Sequence, residues 1–298
     1  MPFRNRIACF QSLKAFSTLE IGGKAKELIS VHTIEEMQEA YRYALSKNIP
    51  FIVIGKGSNI LFDDRGFFGL VIINKIDFIQ FNEGTLLVGS GTSFSFLGTK
   101  FSKKGWSGLE FASGIPGSVG GAIYMNAGAS GMQTSDCLTA VGYIDAKGNV
   151  IEQSKETLSF NYRTSSFQIK KRRVIVFGKF KLKKNPEAQK NQLKMIQNKL
   201  RTQPYREKSA GCFFRNPEGE KAGALIDACG LKGERKGDAQ ISNMHANFII
   251  NRGNATAQDV LDLVKIVQKK VKEKTGKTLE IEVETIPYRM SQYASSPS

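Results

Sequence analysis

Between residues 114 and 131 the chain carries six glycines, Gly114, Gly117, Gly120, Gly121, Gly128 and Gly131, with Pro116 near the front of the run. Glycine loses more conformational freedom on folding than any other residue. So dense a cluster implies backbone angles that a side chain would forbid, or a ligand lying against the main chain. Pro116 fixes its own φ and argues against a slack linker. Amide N–H groups with no side chain in front of them suit phosphate oxygens. The run reads either as a cofactor cradle or as a turn that serves packing alone, and composition does not separate the two.

The 298 residues suffice for two domains of ordinary size, and 41% hydrophobic with 23% charged residues is an ordinary globular composition. No apolar run approaches the roughly 18 to 20 residues that cross a bilayer. The start, Met1 to Phe10, is too polar for a secretion signal, so the expected location is the cytoplasm, with no membrane partner. Cys9, Cys137, Cys212 and Cys229 show no C-x-x-C spacing, and the only histidines are His32 and His245. Neither a metal centre nor a disulfide framework is expected. A net charge of +16 favours an anionic partner. The basic residues are spread along the chain, densest at Lys170-Lys171-Arg172-Arg173 before the strand Val174 to Phe177. A phosphate-bearing small substrate, a merely basic surface and nucleic acid all fit.

Thr33 and Glu36 frame a capping box for a helix over 33–47, and Ile34, Met37, Tyr41 and Ala44 mark its apolar face. The apolar run Phe51 to Ile54 reads as a buried strand that delivers Gly55-Lys56-Gly57-Ser58-Asn59, a junction suited to a pyrophosphate. Ile60 stands where the dinucleotide fingerprint needs its third glycine, and strand-helix-strand units do not repeat, so a doubly wound sheet is not expected. Strands are expected at 69–73, 85–88, 141–145, 149–152 and 173–182, with a helix over 93–104. This is an α+β pattern. A polar helix over 187–201 leads to further elements: a strand at 212–214, a helix over 222–228, a strand at 246–251 and a long amphipathic helix. Thr256 and Asp259 open that helix and Gly276 stops it. A last strand over 279–286 alternates Glu280, Glu282 and Glu284 with Ile281, Val283 and Thr285. Residues 291–298 read as a loose tail.

Several separated motifs together resemble the UDP-N-acetylenolpyruvoylglucosamine reductase family, also called UDP-N-acetylmuramate dehydrogenases. Leu13 to Thr18 with Ile21-Gly22-Gly23 resembles the family opening. Gly55-Lys56-Gly57-Ser58-Asn59 and Gly114-Ile115-Pro116-Gly117-Ser118-Val119-Gly120-Gly121-Ala122 resemble its two FAD-phosphate loops. Those loops are shared with the wider vanillyl-alcohol-oxidase flavoproteins. More particular to the reductases are Tyr162-Arg163-Thr164-Ser165, Ser209 to Pro217, Ala239 to Phe248, and Leu279-Glu280-Ile281-Glu282-Val283. The matches run from about residue 13 to 286 in family order.

The resemblance implies an FAD-binding α+β region of the vanillyl-alcohol-oxidase and p-cresol-methylhydroxylase type over 1–185, with subdomains at about 13–74 and 75–185. A C-terminal α+β substrate domain would cover 186–298. It also implies NADPH as electron donor, a UDP-sugar as substrate, a monomer, and a place in peptidoglycan precursor synthesis, hence in cell-wall biogenesis, cell shape and division. The cofactor positions it carries over are Gly55, Lys56, Gly57, Ser58, Asn59, Gly114, Ile115, Pro116, Gly117, Ser118, Gly120, Gly121 and Ala122. Arg163 matches the arginine that holds the substrate carboxylate, and Asn216 a contact to the substrate diphosphate. Glu282 matches the glutamate that helps stabilise the intermediate, a choice that alternation cannot make among three glutamates on one face. His245 stands where a polar residue meets the substrate, or where a structural histidine precedes an apolar strand.

Cys212 departs from the serine expected as proton donor. A free thiol, with a pKa of about 8.5, is at least as competent in that role, and it adds sensitivity to oxidation. The short run from Arg163 to the strand at Arg173 leaves no room for the tyrosine loop of the family's longer type. Pro287 stands where glycine is usual after the last strand. Two rival readings are an FAD-dependent oxidase of the same superfamily and a basic nucleic-acid-binding protein on the same fold. The first lacks a histidine or cysteine beside the phosphate loops for covalent flavin. The second is disfavoured by the joint presence of Arg163, Cys212 and Glu282.

Overall fold

In a computed structural model, which describes residues 3–169 and 172–288, helices and strands fall largely where capping and periodicity place them. Lys170 and Lys171 of the basic cluster, and the expected tail, lie outside the described residues. The chain divides into two units. One gathers Met1–Ile7, Leu28–Gly55 and Val71–Lys199; the other gathers Ala8–Glu27, Lys56–Leu70 and Leu200–Ser298.

In the first unit the helix after Thr33 runs Ile34–Ser46 and buries Met37, Ala40, Tyr41 and Ala44. The Thr33 hydroxyl accepts the Glu36 N–H, as the capping pattern requires. The Glu36 carboxylate reaches one residue further back than a capping box, to the His32 N–H at 2.7 Å, and pairs with Arg6. Arg6 thereby holds the Glu36 carboxyl down to about 2.

This unit holds an antiparallel sheet of five strands, in the order Val150–Ser154, Leu138–Ile144, Val174–Lys181, Thr85–Gly89, Ile79–Asn82. The last of these went unread in the sequence because it is short and only half buried. Gly142 lets the Phe177 ring lie across its strand, since a Cβ there would fall 2.1 Å from that ring and force it to move. The helix Phe94–Lys103 and the short helix Val119–Tyr124 contribute Phe94, Leu97, Phe101, Val119 and Ile123 to a core shared with Phe111, Val141, Phe167 and Phe180.

The second unit holds a four-stranded antiparallel sheet, ordered Ser209–Cys212, Phe248–Asn251, Ala239–Ile241, Arg235–Lys236. The helix Ala257–Thr275 begins at a full capping box between Thr256 and Asp259 and ends at Gly276, whose φ of 72° is the left-handed cap. Its buried face, Val260, Leu263, Val264, Val267 and Val271, packs with Ile226, Ile241 and Ile249.

Of the last strand expected over 279–286 only Glu284–Ile286 is a strand; before it the chain makes an isolated antiparallel bridge, Ile281 with Phe214. This earlier part exchanges bonds with the chain after Cys212: Arg215 N–H donates to Glu280 C=O at 2.9 Å and Glu282 N–H to Phe213 C=O at 2.8 Å. At Glu284 the partner changes, and Glu284–Ile286 runs parallel to Ile60–Phe62. Alternation records which face a residue takes, not which neighbour it pairs with, so this switch left no trace in the sequence pattern.

Candidate functional site

Two segments of the first unit come together at the glycine cradle. The strand Phe51–Ile54 ends at Gly55, and a Cβ at Gly55 would lie 2.1 Å from the Ser118 hydroxyl oxygen. Ser118 caps Val119–Tyr124 by accepting the Gly121 N–H. Gly120 presses on Ser90, with its N–H bonded to the Ser90 C=O at 2.8 Å. Gly114 turns the chain at φ 76° and Gly117 at φ 131°. The N–H groups of Gly117 and Ser118 donate to nothing among the described residues. Ile115 is half buried, Pro116 and Gly121 are exposed, and Ala122 is buried.

In the second unit the run Lys56 to Asn59 shows the same economy. Gly57 sits at φ 64° with its C=O accepting the Thr18 N–H, and a Cβ there would fall 1.9 Å from the Phe16 carbonyl oxygen. The N–H groups of Lys56, Gly57 and Asn59 likewise have no acceptor among the described residues. Lys56 is exposed, but Gly57, Asn59, Gly117 and Ser118 are buried or half buried, and such amides left unspent are rare unless a ligand completes them. Each loop therefore fits the phosphate groups of FAD on its donor chemistry.

Arg163 belongs to the first unit, beyond the cradle helix. Its own φ is 55°, unusual for a residue with a side chain. The guanidinium donates to the Gly128 C=O at 2.8 Å and stacks on the Tyr162 ring at 5.0 Å. The following residues tie the loop to the end of the cradle helix, with both the Ser165 hydroxyl and the Gln168 amide donating to the Tyr124 C=O. Asn126, fully buried at φ 43°, braces the same turn through Gln133, Asn161 and Ser135.

Cys212 and Glu282 both lie in the second unit, on main-chain segments that bond to each other at Phe213. Cys212 ends the strand Ser209–Cys212 opposite Phe248, and the next residue accepts the Glu282 N–H. Burial separates the three glutamates that alternation left equal: Glu280 and Glu284 are exposed, whereas Glu282 is half buried. Asn59 of the loop braces the same strand, its side chain donating to Glu282 C=O at 3.3 Å while its own C=O accepts the Glu284 N–H at 3.0 Å. Desolvation pushes the Tyr205 phenol up to about 12, with a further contribution from the nearby Cys212.

Asn216 is exposed, and its amide oxygen accepts the Ala222 N–H at 3.0 Å at the start of the helix Ala222–Ala228. His245 is half buried, packed edge-on to Phe248, and its Nδ1 accepts the Asn247 N–H. Burial lowers its pKa.

Asn247 is the residue that sequence reasoning passed over. It is 2% exposed, and its side chain both accepts the Phe214 N–H at 2.9 Å and donates to the Phe214 C=O at 2.8 Å. Its own C=O takes the Phe213 N–H. An amide thus stands in for a strand neighbour and fixes the chain between Cys212 and Asn216. The available signal was an asparagine set directly against the apolar run Phe248-Ile249-Ile250. Among the described residues no group of three or more His, Cys, Asp or Glu side chains is arranged to hold a metal, and no helix is long and apolar enough to cross a membrane.

Comparison with known proteins covers both halves of the chain. Residues 203–286 match the family described as UDP-N-acetylenolpyruvoylglucosamine reductase, C-terminal domain, and residues 25–154 match the FAD binding domain. A UDP-N-acetylenolpyruvoylglucosamine reductase of Protochlamydia amoebophila is 52% identical over 281 residues, which cover 94% of each chain. One from Chlamydia abortus is 49% identical over 279 residues, 93% of this chain and 94% of that one. The crystal structure of the UDP-N-acetylenolpyruvylglucosamine reductase of Thermus caldophilus superposes with a TM-score of 0.80 at 38% identity, over 94% of this chain and 98% of that one. With the two domain matches, the spared amides of its glycine loops and relatives alike over nearly their whole length, this chain belongs to the UDP-N-acetylenolpyruvoylglucosamine reductase family and is an FAD-dependent oxidoreductase.

Proposed function

We propose that the protein reduces the enolpyruvyl ether of UDP-N-acetylglucosamine to UDP-N-acetylmuramate, with NADPH as the source of electrons. The division of labour is that implied by the family: residues up to about 185 hold the flavin and those from 186 onward supply the substrate domain. FAD, once reduced by NADPH, supplies the hydride. Everything else falls to this chain's own side chains. Hydride addition to the methylene carbon drives electrons toward the substrate carboxylate. A guanidinium fixed in place, Arg163, neutralises that charge without having to reorganise. Glu282 helps to stabilise the intermediate. Cys212 delivers the proton to the neighbouring carbon as a general acid. Asn216 contacts the substrate diphosphate and His245 lies near the substrate, and the chain's net charge of +16 suits a substrate that carries a diphosphate and a carboxylate.

The observation that carries the reading is the pairing of the Cys212 segment with the Glu282 strand, through the 2.8 Å bond from Glu282 N–H to Phe213 C=O. It ties the main chain next to Cys212 to the main chain of Glu282, which supports a reading in which one side chain gives the proton and the other helps to steady charge. The test is an anaerobic titration of the yellow holoprotein. NADPH should bleach the flavin, and the enolpyruvyl UDP-sugar should restore its colour with one product formed per flavin. Recovery by air alone, with the sugar inert, would replace this reading with an oxidase.

A further inference from the structure

Lys199 is buried in the first unit, 6% exposed, near the end of the otherwise polar helix Ala188–Thr202. Burying an ammonium is costly unless hydrogen bonds offset the lost hydration. Its Nζ donates to two main-chain carbonyls, Phe111 C=O and Ser113 C=O, each at 2.7 Å. These are charge-assisted bonds, stronger than those between neutral groups. Both acceptor residues are wholly buried. Burial also brings the ammonium down to about 8, which still leaves it mostly protonated at neutral pH.

The location of the acceptors gives the lysine its meaning. Ser113 immediately precedes Gly114, where the cradle turns. The peptide unit between them is fixed at both ends, its C=O by Lys199 and its N–H by the Ser95 hydroxyl at 2.8 Å. The helix Phe94–Lys103 closes on the same segment: a Cβ at Gly98 would lie 2.6 Å from Leu109 C=O and 2.7 Å from Ser113 N. Thr99 and Ser113 share a hydroxyl contact at 3.3 Å. Two helices thus hold the loop from behind, and the unspent N–H groups lie just beyond, at Gly117 and Ser118. A purely packing role would be met by leucine or methionine. Those residues would leave two buried carbonyls without a donor.

We infer that Lys199 is a positioning residue for FAD, setting the Gly114–Ser118 main chain so that its amides meet the cofactor's phosphates. The inference rests on reading this loop as a phosphate site. Lys199 touches neither flavin nor sugar in this scheme, so its loss should weaken cofactor retention and spare the chemistry.

The test follows FAD release by flavin fluorescence on dilution of the holoprotein, alongside melting of the stripped protein and steady-state kinetics at saturating FAD. Lys199→Met should raise the FAD Kd roughly tenfold or more, because both carbonyls lose their donor. Lys199→Gln, able to serve one carbonyl, should fall between. With FAD in excess, kcat and the KM for the sugar should stay within about twofold of the parent. If Lys199→Met does not fold, Ser95→Ala removes the other anchor of the same peptide unit and must itself raise the Kd severalfold; an unchanged Kd there sinks the inference. Gly117→Ala separates the two layers of argument. If it weakens FAD while Lys199→Met merely lowers the melting temperature, Lys199 is structural and the inference is wrong. If neither variant changes FAD binding, the loop is not the phosphate site, and the inference fails with that reading.

Discussion

The loop at 114–122 and the segment at 212–216 are both fixed from behind, and they use their main chain in opposite ways. In the segment the backbone is committed to neighbours: Phe213 and Phe214 bond to Asn247, Phe213 also to Glu282, and Arg215 to Glu280. In the proposed function it is the side chains here that meet the substrate, so the identity of residue 212 matters. In the loop the amides of Gly117 and Ser118 are withheld from the fold, and what matters there is the lack of side chains. A reaction needs both kinds of site. A cofactor's phosphates are recognised by many weak donors that any flavoprotein can share, whereas a proton must come from one chosen atom.

The largest effect of breaking this contrast is expected at the clamp. Asn247→Leu leaves the Phe214 N–H and C=O buried without partners and should cost about 3 kcal/mol of stability, at about 1–3 kcal/mol for each orphaned group. Denaturant unfolding would measure it. A loss below the error of that experiment would mean that the segment does not depend on its borrowed strand neighbour.

Gly57 tests the other side. An alanine there must both hold a φ of 64° and displace the Phe16 carbonyl, 1.9 Å from the new Cβ. Gly131, at φ 81° with nothing within 4 Å, meets only the first demand. Gly131→Ala should cost about 1 kcal/mol from the strained angle, and Gly57→Ala clearly more, about 2 kcal/mol or above, with weaker FAD retention. Equal costs at the two glycines would show that close approach of the backbone is not what glycine provides at 57.

The smallest effect is electrostatic. His245 has its pKa lowered by burial and is neutral while its Nδ1 accepts the Asn247 N–H. The unfolded chain binds a proton here near pH 6.5 and the folded chain only below that. Stability from this group is therefore present above pH 6.5 and lost as pH falls below it. Glu36 and Asp63, both held near 2 by arginine partners, lose their contribution in a separate, more acidic window below about 4.5. Melting temperature should fall as pH drops below 6.5, and His245→Gln should flatten that decline while leaving the more acidic limb in place.

Much of the fold was legible because caps and periodicity are local. Thr33, the Thr256–Asp259 pair and Gly276 mark helix ends through atoms a few residues apart, and the buried face of Ala257–Thr275 follows directly from its spacing. What escaped depends on partners far along the chain. Alternation grouped Glu280, Glu282 and Glu284, and only the change of strand partner after Val283 leaves Glu282 less exposed than the other two. A helix rich in Gln and Lys gave no hint that Lys199 turns inward, since its two acceptors lie more than eighty residues earlier. The glycine run declared an unusual backbone without saying for whom, until the amides it leaves unspent were known.

The central claim is that Cys212 gives the proton, and a single-turnover experiment meets it most directly. Cys212→Ala and Cys212→Ser are reduced anaerobically with NADPH and then mixed with the enolpyruvyl UDP-sugar. Flavin bleaching by NADPH should match the parent in both. Product formation should fall roughly 10²–10⁴-fold in the alanine variant, the usual worth of a general acid, and persist substantially in the serine variant. An alanine variant that forms product at the parent's rate would contradict the account.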